Sequence, residues 1–243
     1  MHARRAASTE HALHYVLERV YSAWSEGKIS SILLLDISGA FDKVSQPRLL
    51  YNLRKKGIDD RIVRWIESFL SNCTAILRTN EHTTNKVDIS MDIPQGSSLS
   101  PILFLFYIAP LLEELQRKNI EACGSVDDTA LIIKSNSARR NCEMPSNINE
   151  EICMSWASTH GVKFAPNKYQ LCHLTRKRQS PTDDITINDN ISVAPKETVK
   201  YLGVWLDCKL NWKAQVNSNK TRALKTELFP VSQAPHGAPS LQG

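Results

Sequence analysis

The chain has 243 residues, 42% of them hydrophobic, enough for one sizeable core or a core with a small appendage. Its longest apolar stretch, Pro101 to Leu112, is about a dozen residues against the ~20 a bilayer span needs; the N-terminus is polar and basic, and six scattered cysteines hold no CxxC pair. These features argue against a membrane segment, a signal peptide, a disulfide framework and a zinc site, and they leave a reducing compartment as the default. The net charge of +5 is uneven: residues 1–162 carry −1 and residues 163–225 carry +7, a balance that suits either a phosphate backbone or a solvated face.

Ser8 or Thr9 can cap a first helix with Leu13, Val16, Leu17, Val20 and Trp24 at helical spacing, and Gly27 ends it. The run Ser31 to Leu35 then reads as a buried central strand ending at Asp36. After the turn from Ile37 to Phe41, Ser45 caps a second helix with Pro47 in its first turn, core residues Leu49, Leu50 and Leu53, and Gly57 as its stop. A third helix starts at Asp59 or Asp60 and is expected to bury Ile62, Trp65, Ile66 and Phe69. Thr74 to Thr79 and Lys86 to Ile89 read as a hairpin, and the Pro94–Pro101 loop opens an apolar helix from about Ser98 to Lys118.

Two apolar segments, Ile120 to Val126 and Thr129 to Ile133, flank Asp127 and Asp128, predicting a strand–turn–strand with two carboxylates at its tip. A helix from about Ala138 to His160 follows, with a break expected at Pro145, because an interior proline costs about 3 kcal/mol. Strands are expected at Val162–Phe164, Tyr169–Leu174, Ile185–Asn188, Ile191–Val193 and Val199–Trp205, with a polar loop beginning at Arg176-Lys-Arg178 and a basic helix over Asn211–Lys225. The order predicts an α+β fold, with helices covering one face of an antiparallel sheet.

Carboxylates at a rigid tip can hold Mg²⁺, a hard ion that takes oxygen ligands. Asp36 supplies a third carboxylate at the end of the central strand, so two strands bringing three aspartates together suit a two-metal phosphoryl-transfer site. The other reading of Asp127-Asp128 is a pair of ordinary turn residues.

Five blocks in order carry a family resemblance. They are Leu34-Leu35-Asp36-Ile37-Ser38-Gly39-Ala40-Phe41-Asp42, Ile93-Pro94-Gln95-Gly96 running on to Pro101, Val126-Asp127-Asp128, Gly161 to Lys168, and Tyr201-Leu202-Gly203. Together they resemble the palm blocks of reverse transcriptases, specifically the non-LTR (LINE-type) retrotransposon group, over roughly residues 5–225. The resemblance implies a palm with a ferredoxin- or RRM-like core. It divides the chain into an N-terminal helix leading into the palm (1–30), the palm (31–206), a basic helix (207–228) and a disordered tail (229–243).

The resemblance also implies roles. Asp36, Asp127 and Asp128 would bind Mg²⁺, with Mn²⁺ as the alternative ion. Lys168 would act as general acid, or as a stabilising charge, at the pyrophosphate. Ile37, Phe41, Gln95 and Gly96 would line the nucleotide pocket, with Phe41 excluding a ribose 2′-hydroxyl. Tyr201, Leu202 and Gly203 would form the hairpin that grips the primer terminus. Other readings stay open: Phe41 as core, Lys168 as a surface lysine, Tyr201 as a buried strand end. The implied partners are an RNA template, a DNA primer and a deoxynucleoside triphosphate inside the cell, in nucleus or cytoplasm.

Three departures from the family pattern predict weakened catalysis: Ser125 where an aromatic is usual, Asp92 where glycine is usual, and Pro145 in the helix after the hairpin. The chain is also short for the group, so a truncated palm without fingers, thumb or endonuclease is expected. Two other functions use the same residues: a non-catalytic nucleic-acid-binding module, and a metal-dependent nuclease, which leaves the Pro94–Pro101 block and Lys168 unexplained.

Overall fold

A computed structural model describes residues 4–5, 9–71, 74–76, 78–79, 82–88, 93–94, 96–125, 128–187 and 191–228. A two-residue strand, β1 (Arg4–Arg5), precedes α1 (Thr9–Ser25), and Gly27 at φ 68° turns the chain out of the helix. The apolar run forms β2 (Ile29–Leu35), buried along its whole length. A short β3 (Ile37–Ser38) leads to α2 (Gln46–Lys55) and α3 (Asp60–Leu70). Pro47 fits the first turn of α2, where backbone N–H groups have no intrahelical acceptor. Asp59 caps α3 by accepting the Arg61 N–H at 2.9 Å.

The buried face of α3 differs from expectation. Val63, Ile66 and Leu70 are buried, whereas Ile62 is 52% and Trp65 58% exposed. Two adjoining stripes of α3 are apolar, and only one can face α2; on the other, Trp65 stacks against Phe69 at 6.0 Å.

Strands β4 (Thr74–Ala75) and β5 (Val87–Asp88) pair antiparallel, as the hairpin pattern predicted. The apolar helix is α4 (Ser100–Arg117). Then β6 (Glu121–Ser125) and β7 (Asp128–Ser135) pair antiparallel. Val126 and Asp127, between them, lie outside the described residues, as do Asp92, Gln95 and residues 229–243.

Helix α5 (Ala138–Ile148) runs through Pro145 without breaking there. A π-helical turn (Asn149–Met154) and α6 (Ser155–His160) continue it. The buried Pro145 stays helical and the irregularity falls in the wider turn downstream, one of the standard ways in which long helices deviate from regularity.

The chain continues as β8 (Lys163–Phe164), a 3₁₀ turn (Pro166–Lys168), β9 (Gln170–Leu174), β10 (Ile185–Ile187) and β11 (Ile191–Val193). The segment Val199–Trp205 is not one strand but a hairpin, β12 (Thr198–Tyr201) and β13 (Val204–Asp207), with its turn at Leu202-Gly203 where the resemblance implied a hairpin. Its two-residue turn has Leu202 at φ 49° and Gly203 at φ 83°, the left-handed pair that matches strand twist. Leucine gives no sequence signal for that conformation. The basic helix is α7 (Lys213–Leu228).

The main sheet has the order β1-β6-β7-β2-β9; β1 runs parallel to β6 and the other pairs are antiparallel. Leu33 sits opposite Leu131 on one side and Leu171 on the other. Alternation sends Leu33, Leu35, Leu131, Ile133 and Leu171 to one face, where they meet side chains of α2–α6. Ile32, Leu34, Ala130, Ile132 and Cys172 go to the opposite face, against Ala12, Val16 and Val20 of α1 and Val199, Tyr201 and Leu206 of the β12–β13 hairpin. The expected α+β arrangement thus has most helices on one face, with α1 and a hairpin on the other. A central strand that is apolar on both sides requires both covers, and truncating Leu33 to alanine would cost about 2–5 kcal/mol.

Candidate active site

Asp36 and Asp128 emerge side by side because of the strand register. The last β2–β7 pair is Leu35 with Thr129, so Asp36 is one step beyond it on β2 and Asp128 one step before it on β7. Asp128 is exposed and lies across from Ser125.

Three backbone contacts hold the segment after Asp36. The Asp36 carbonyl accepts the Ala165 N–H at 2.9 Å, Ile37 pairs with Phe164, and Ser38 pairs with Lys163. The 3₁₀ turn then closes with Lys168 N–H donating to the Ala165 carbonyl at 2.9 Å. Lys168 Nζ consequently lies 3.3 Å from Asp36 Oδ2, with side-chain exposures of 60% and 40%. Although the Asp36 side chain is partly exposed, its Oδ2 is shielded and receives no hydrogen bond. Tyr169 lies beneath: burial first, and then the charges of Cys153 and Asp36, pushes its phenol well above the usual range.

The loop after Asp36 carries Phe41, whose ring rests on Phe104 at 5.4 Å. Phe41 lines a cavity of about 410 Å³ with Gly96, Ser97, Ser98, Ser100 and Pro101. Ser100 Oγ donates to the Pro94 carbonyl at 2.5 Å, tying the start of α4 to the Pro94 loop. Ile93 N–H donates to the Phe41 carbonyl at 3.2 Å, joining the two expected blocks directly. Gly96 is exposed at φ 89°, and a β-carbon there would meet nothing within 4 Å, so the requirement is conformational rather than steric. Tyr107 Oη supports the same loop from behind, accepting the Ser45 N–H at 3.2 Å and donating to the His160 carbonyl. Burial holds the His160 imidazole below its ordinary pKa.

Two expected site residues are placed differently. Ile37 is buried in the main core beside Phe164 and is not among the residues that line the cavity. Tyr201 is 1% exposed and its hydroxyl points to the Cys123 carbonyl at a long 3.5 Å. Burial, then Cys123 and the charge of Asp128, raises its pKa well above the usual range. Tyr201 therefore anchors the hairpin to the sheet, leaving Leu202 and Gly203 at the tip, Gly203 exposed. Gln95 and Asp127 fall outside the described residues. Tyr169, Phe104 and Tyr107 carry no distinguishing pattern in the sequence, whereas the cavity serines lie within the Ile93–Pro101 block.

Among the described residues no three His, Cys, Asp or Glu side chains converge as a metal site. The donors that do meet are nevertheless suited to a hard divalent ion. Asp36 Oδ2 is shielded and accepts no hydrogen bond, with the Lys168 ammonium 3.3 Å away as its charge partner, and oxygen ligands of this kind are what a hard divalent ion takes.

Comparison with known proteins places the chain in a family. The family described as "Reverse transcriptase (RNA-dependent DNA polymerase)" matches residues 2–206. The "RNA-directed DNA polymerase from mobile element jockey" of Drosophila melanogaster is 25% identical over 92% of this chain and 24% of its own length. The "Retrovirus-related Pol polyprotein from type-1 retrotransposable element R2" of Popillia japonica is 37% identical over 59% of this chain and 24% of its own length. The chain thus spans about a quarter of the length of these curated relatives. Among solved structures, telomerase from Candida tropicalis, in complex with a fragment of telomeric RNA, aligns with a TM-score of 0.59 at 12% identity over 93% of this chain and 38% of that one, a likeness of fold. Since the family match runs through all five strands of the main sheet and both acidic segments, the chain belongs to the reverse transcriptase (RNA-dependent DNA polymerase) family.

Proposed function

We propose that this chain is the palm of a non-LTR retrotransposon reverse transcriptase and extends a DNA primer on an RNA template with deoxynucleoside triphosphates. The observation that carries the reading is the Asp36–Lys168 pair, 3.3 Å apart at the end of the sheet where β7 also brings Asp128. It joins an acid and a cation from two distant blocks, as a site for an anionic substrate requires.

Polymerases of this family use divalent metal ions. Asp36, Asp127 and Asp128 are the residues that would hold Mg²⁺ or Mn²⁺, which when bound favours the primer hydroxyl as an alkoxide and neutralises triphosphate charge. Lys168 presents an ammonium beside Asp36, where it stabilises the departing pyrophosphate or gives it a proton. Phe41 and Gly96 form part of the wall of the cavity. The Phe41 ring, which packs on Phe104, is the group that would discriminate against a ribose 2′-hydroxyl. Leu202 and Gly203, held by the buried Tyr201, present the hairpin tip to a primer. The setting is intracellular, in nucleus or cytoplasm.

Ser125 favours slow turnover. It sits buried at the end of β6, on the face where Tyr201 packs, and a hydroxymethyl group replaces the ring usual in the family. The test is primer extension by the purified chain on a poly-A RNA template with Mg²⁺ or Mn²⁺. Extension that Asp36→Asn and Asp127→Asn both abolish supports the reading. Product that persists in either variant sinks it, and cleavage without extension identifies a nuclease instead.

A further inference from the structure

The end of the sheet away from Asp36 carries a site of opposite charge. From Ile29 to Asp36 the strand rises about 23 Å, so the two ends are well separated. At the Ile29 end, the first turn of α5 faces the loop between β9 and β10 across a groove of about 790 Å³. Arg139, Lys177 and Arg178 line it, all exposed, with Asp183 as the one carboxylate in the lining, while Glu143 and Asp184 border the adjoining pocket that Arg139 also lines.

These cations are available for a ligand. Arg139 has Glu143 3.6 Å away, but both side chains are highly exposed and such pairs contribute little. Among the described residues Lys177 and Arg178 have no ion-pair partner. Lys28 and Lys134, at the same strand ends, are different: both engage Glu26.

The loop is also held in place, unlike an ordinary polar connection. Thr175 N–H donates to the Cys208 carbonyl at 3.0 Å, and Lys177 N–H to Thr175 Oγ1 at 3.1 Å. Lys209 Nζ donates to the Lys177 carbonyl, and the Arg176 guanidinium sits 5.0 Å from the Trp24 ring centre. At its far end the Asp183 carbonyl accepts from Nε2 of the buried His173 at 2.8 Å. That ring accepts in turn from Ser31 Oγ at 2.7 Å, and Ser31 Oγ also receives Asn141 Nδ2 at 2.8 Å. A buried polar chain thus ties the loop to β2 and α5, so little ordering is needed when a ligand binds.

We propose that this groove binds the phosphodiester backbone of a nucleic-acid strand, at a site separate from the one that carries Asp36. Three exposed cations lining one groove at the positive end of α5 suit a polyanion, and a groove of this size takes more than one phosphate. The choice of nucleic acid over other anions rests on the polymerase reading, which supplies such strands.

The test measures binding alone, in chelator, so that it does not depend on synthesis. A fluorescent single-stranded RNA of about 20 nucleotides is titrated with the full chain across a salt series. Lys177→Gln with Arg178→Gln should lower the slope of log affinity against log salt by about 1.4 and weaken binding about tenfold near 0.15 M salt. The charge-preserving pair Lys177→Arg with Arg178→Lys should bind like the parent, which separates charge from folding. Asp36→Asn should leave the difference intact, so failure of the polymerase reading is seen in extension and not here. Unchanged affinity and slope in the glutamine pair would overturn the proposal. Displacement of the RNA by millimolar inorganic phosphate, at constant ionic strength, would do so as well, by marking a small-anion site.

Discussion

The two ends of the main sheet are built from the same strands and do opposite things with charge. At one end β2 and β7 deliver Asp36 and Asp128, and a 3₁₀ turn brings one lysine to Asp36. At the other, the start of α5 and the loop after β9 gather arginine and lysine side chains around a groove. The acidic end is assembled by strand register, which fixes neighbours within a few ångströms. The basic end is assembled by a loop pinned through its backbone, with its side chains left free to reach. A site for positioned chemistry needs the first arrangement, and a site that follows a flexible phosphate backbone tolerates the second.

The strongest way to break this contrast is Asp36→Asn. It should lower primer extension on the order of 10³-fold or more, while RNA binding through the basic groove stays at the parent level. Equal losses in both assays would mean that the ends are not independent. Lys168→Ala should lower extension by about 10²-fold, and if Lys168 acts as a general acid the pH dependence of the rate on its alkaline side should change with it. A lysine that only balances Asp36 in the fold would leave the shape of that profile alone. Lys177→Gln with Arg178→Gln should act the other way round: binding falls about tenfold near 0.15 M salt, and extension at saturating template–primer is unchanged.

Two smaller effects concern the layers that hold both ends. His160, below its ordinary pKa through burial, takes up a proton more readily when unfolded than when folded. Its neutral form therefore supports the fold above about pH 6.5, and that support is lost as pH falls from there towards the folded-state pKa. Denaturant midpoints of the parent should drop between pH 7.5 and 5.5 more steeply than those of His160→Gln; parallel curves would remove His160 as the cause. Least of all, Trp65→Ser on the exposed stripe of α3 should change stability within about 0.5 kcal/mol, because the ring is already mostly in water. A larger loss in thermal unfolding would show that its stacking on Phe69 matters to the fold.

Much of this organisation was legible in the residues. The continuous apolar run before Asp36, the capped helices around Pro47 and Asp59, and the paired segments around Asp127-Asp128 are local patterns with local causes. Errors came where two local readings compete. The α3 stripe containing Ile62 and Trp65 has the same helical spacing as the buried one. Nothing in the Val199–Trp205 run announces that Leu202 takes a left-handed conformation. Pro145 was read as a break because the penalty for an interior proline is known, whereas the way a longer helix absorbs it depends on what surrounds it.

The chain's sequence by itself determined the α+β class, the ends of most helices and the set of acidic and basic residues that could do chemistry, because periodicity, capping and composition act over a few residues. Only the tertiary structure decided that Lys168 meets Asp36, that Tyr201 and Ile37 are buried in the core, and that Arg139 joins Lys177 and Arg178 across a groove. Those outcomes depend on pairing register and on which of two apolar faces finds a partner, and both are settled by segments more than a hundred residues apart or by contacts that no single segment encodes.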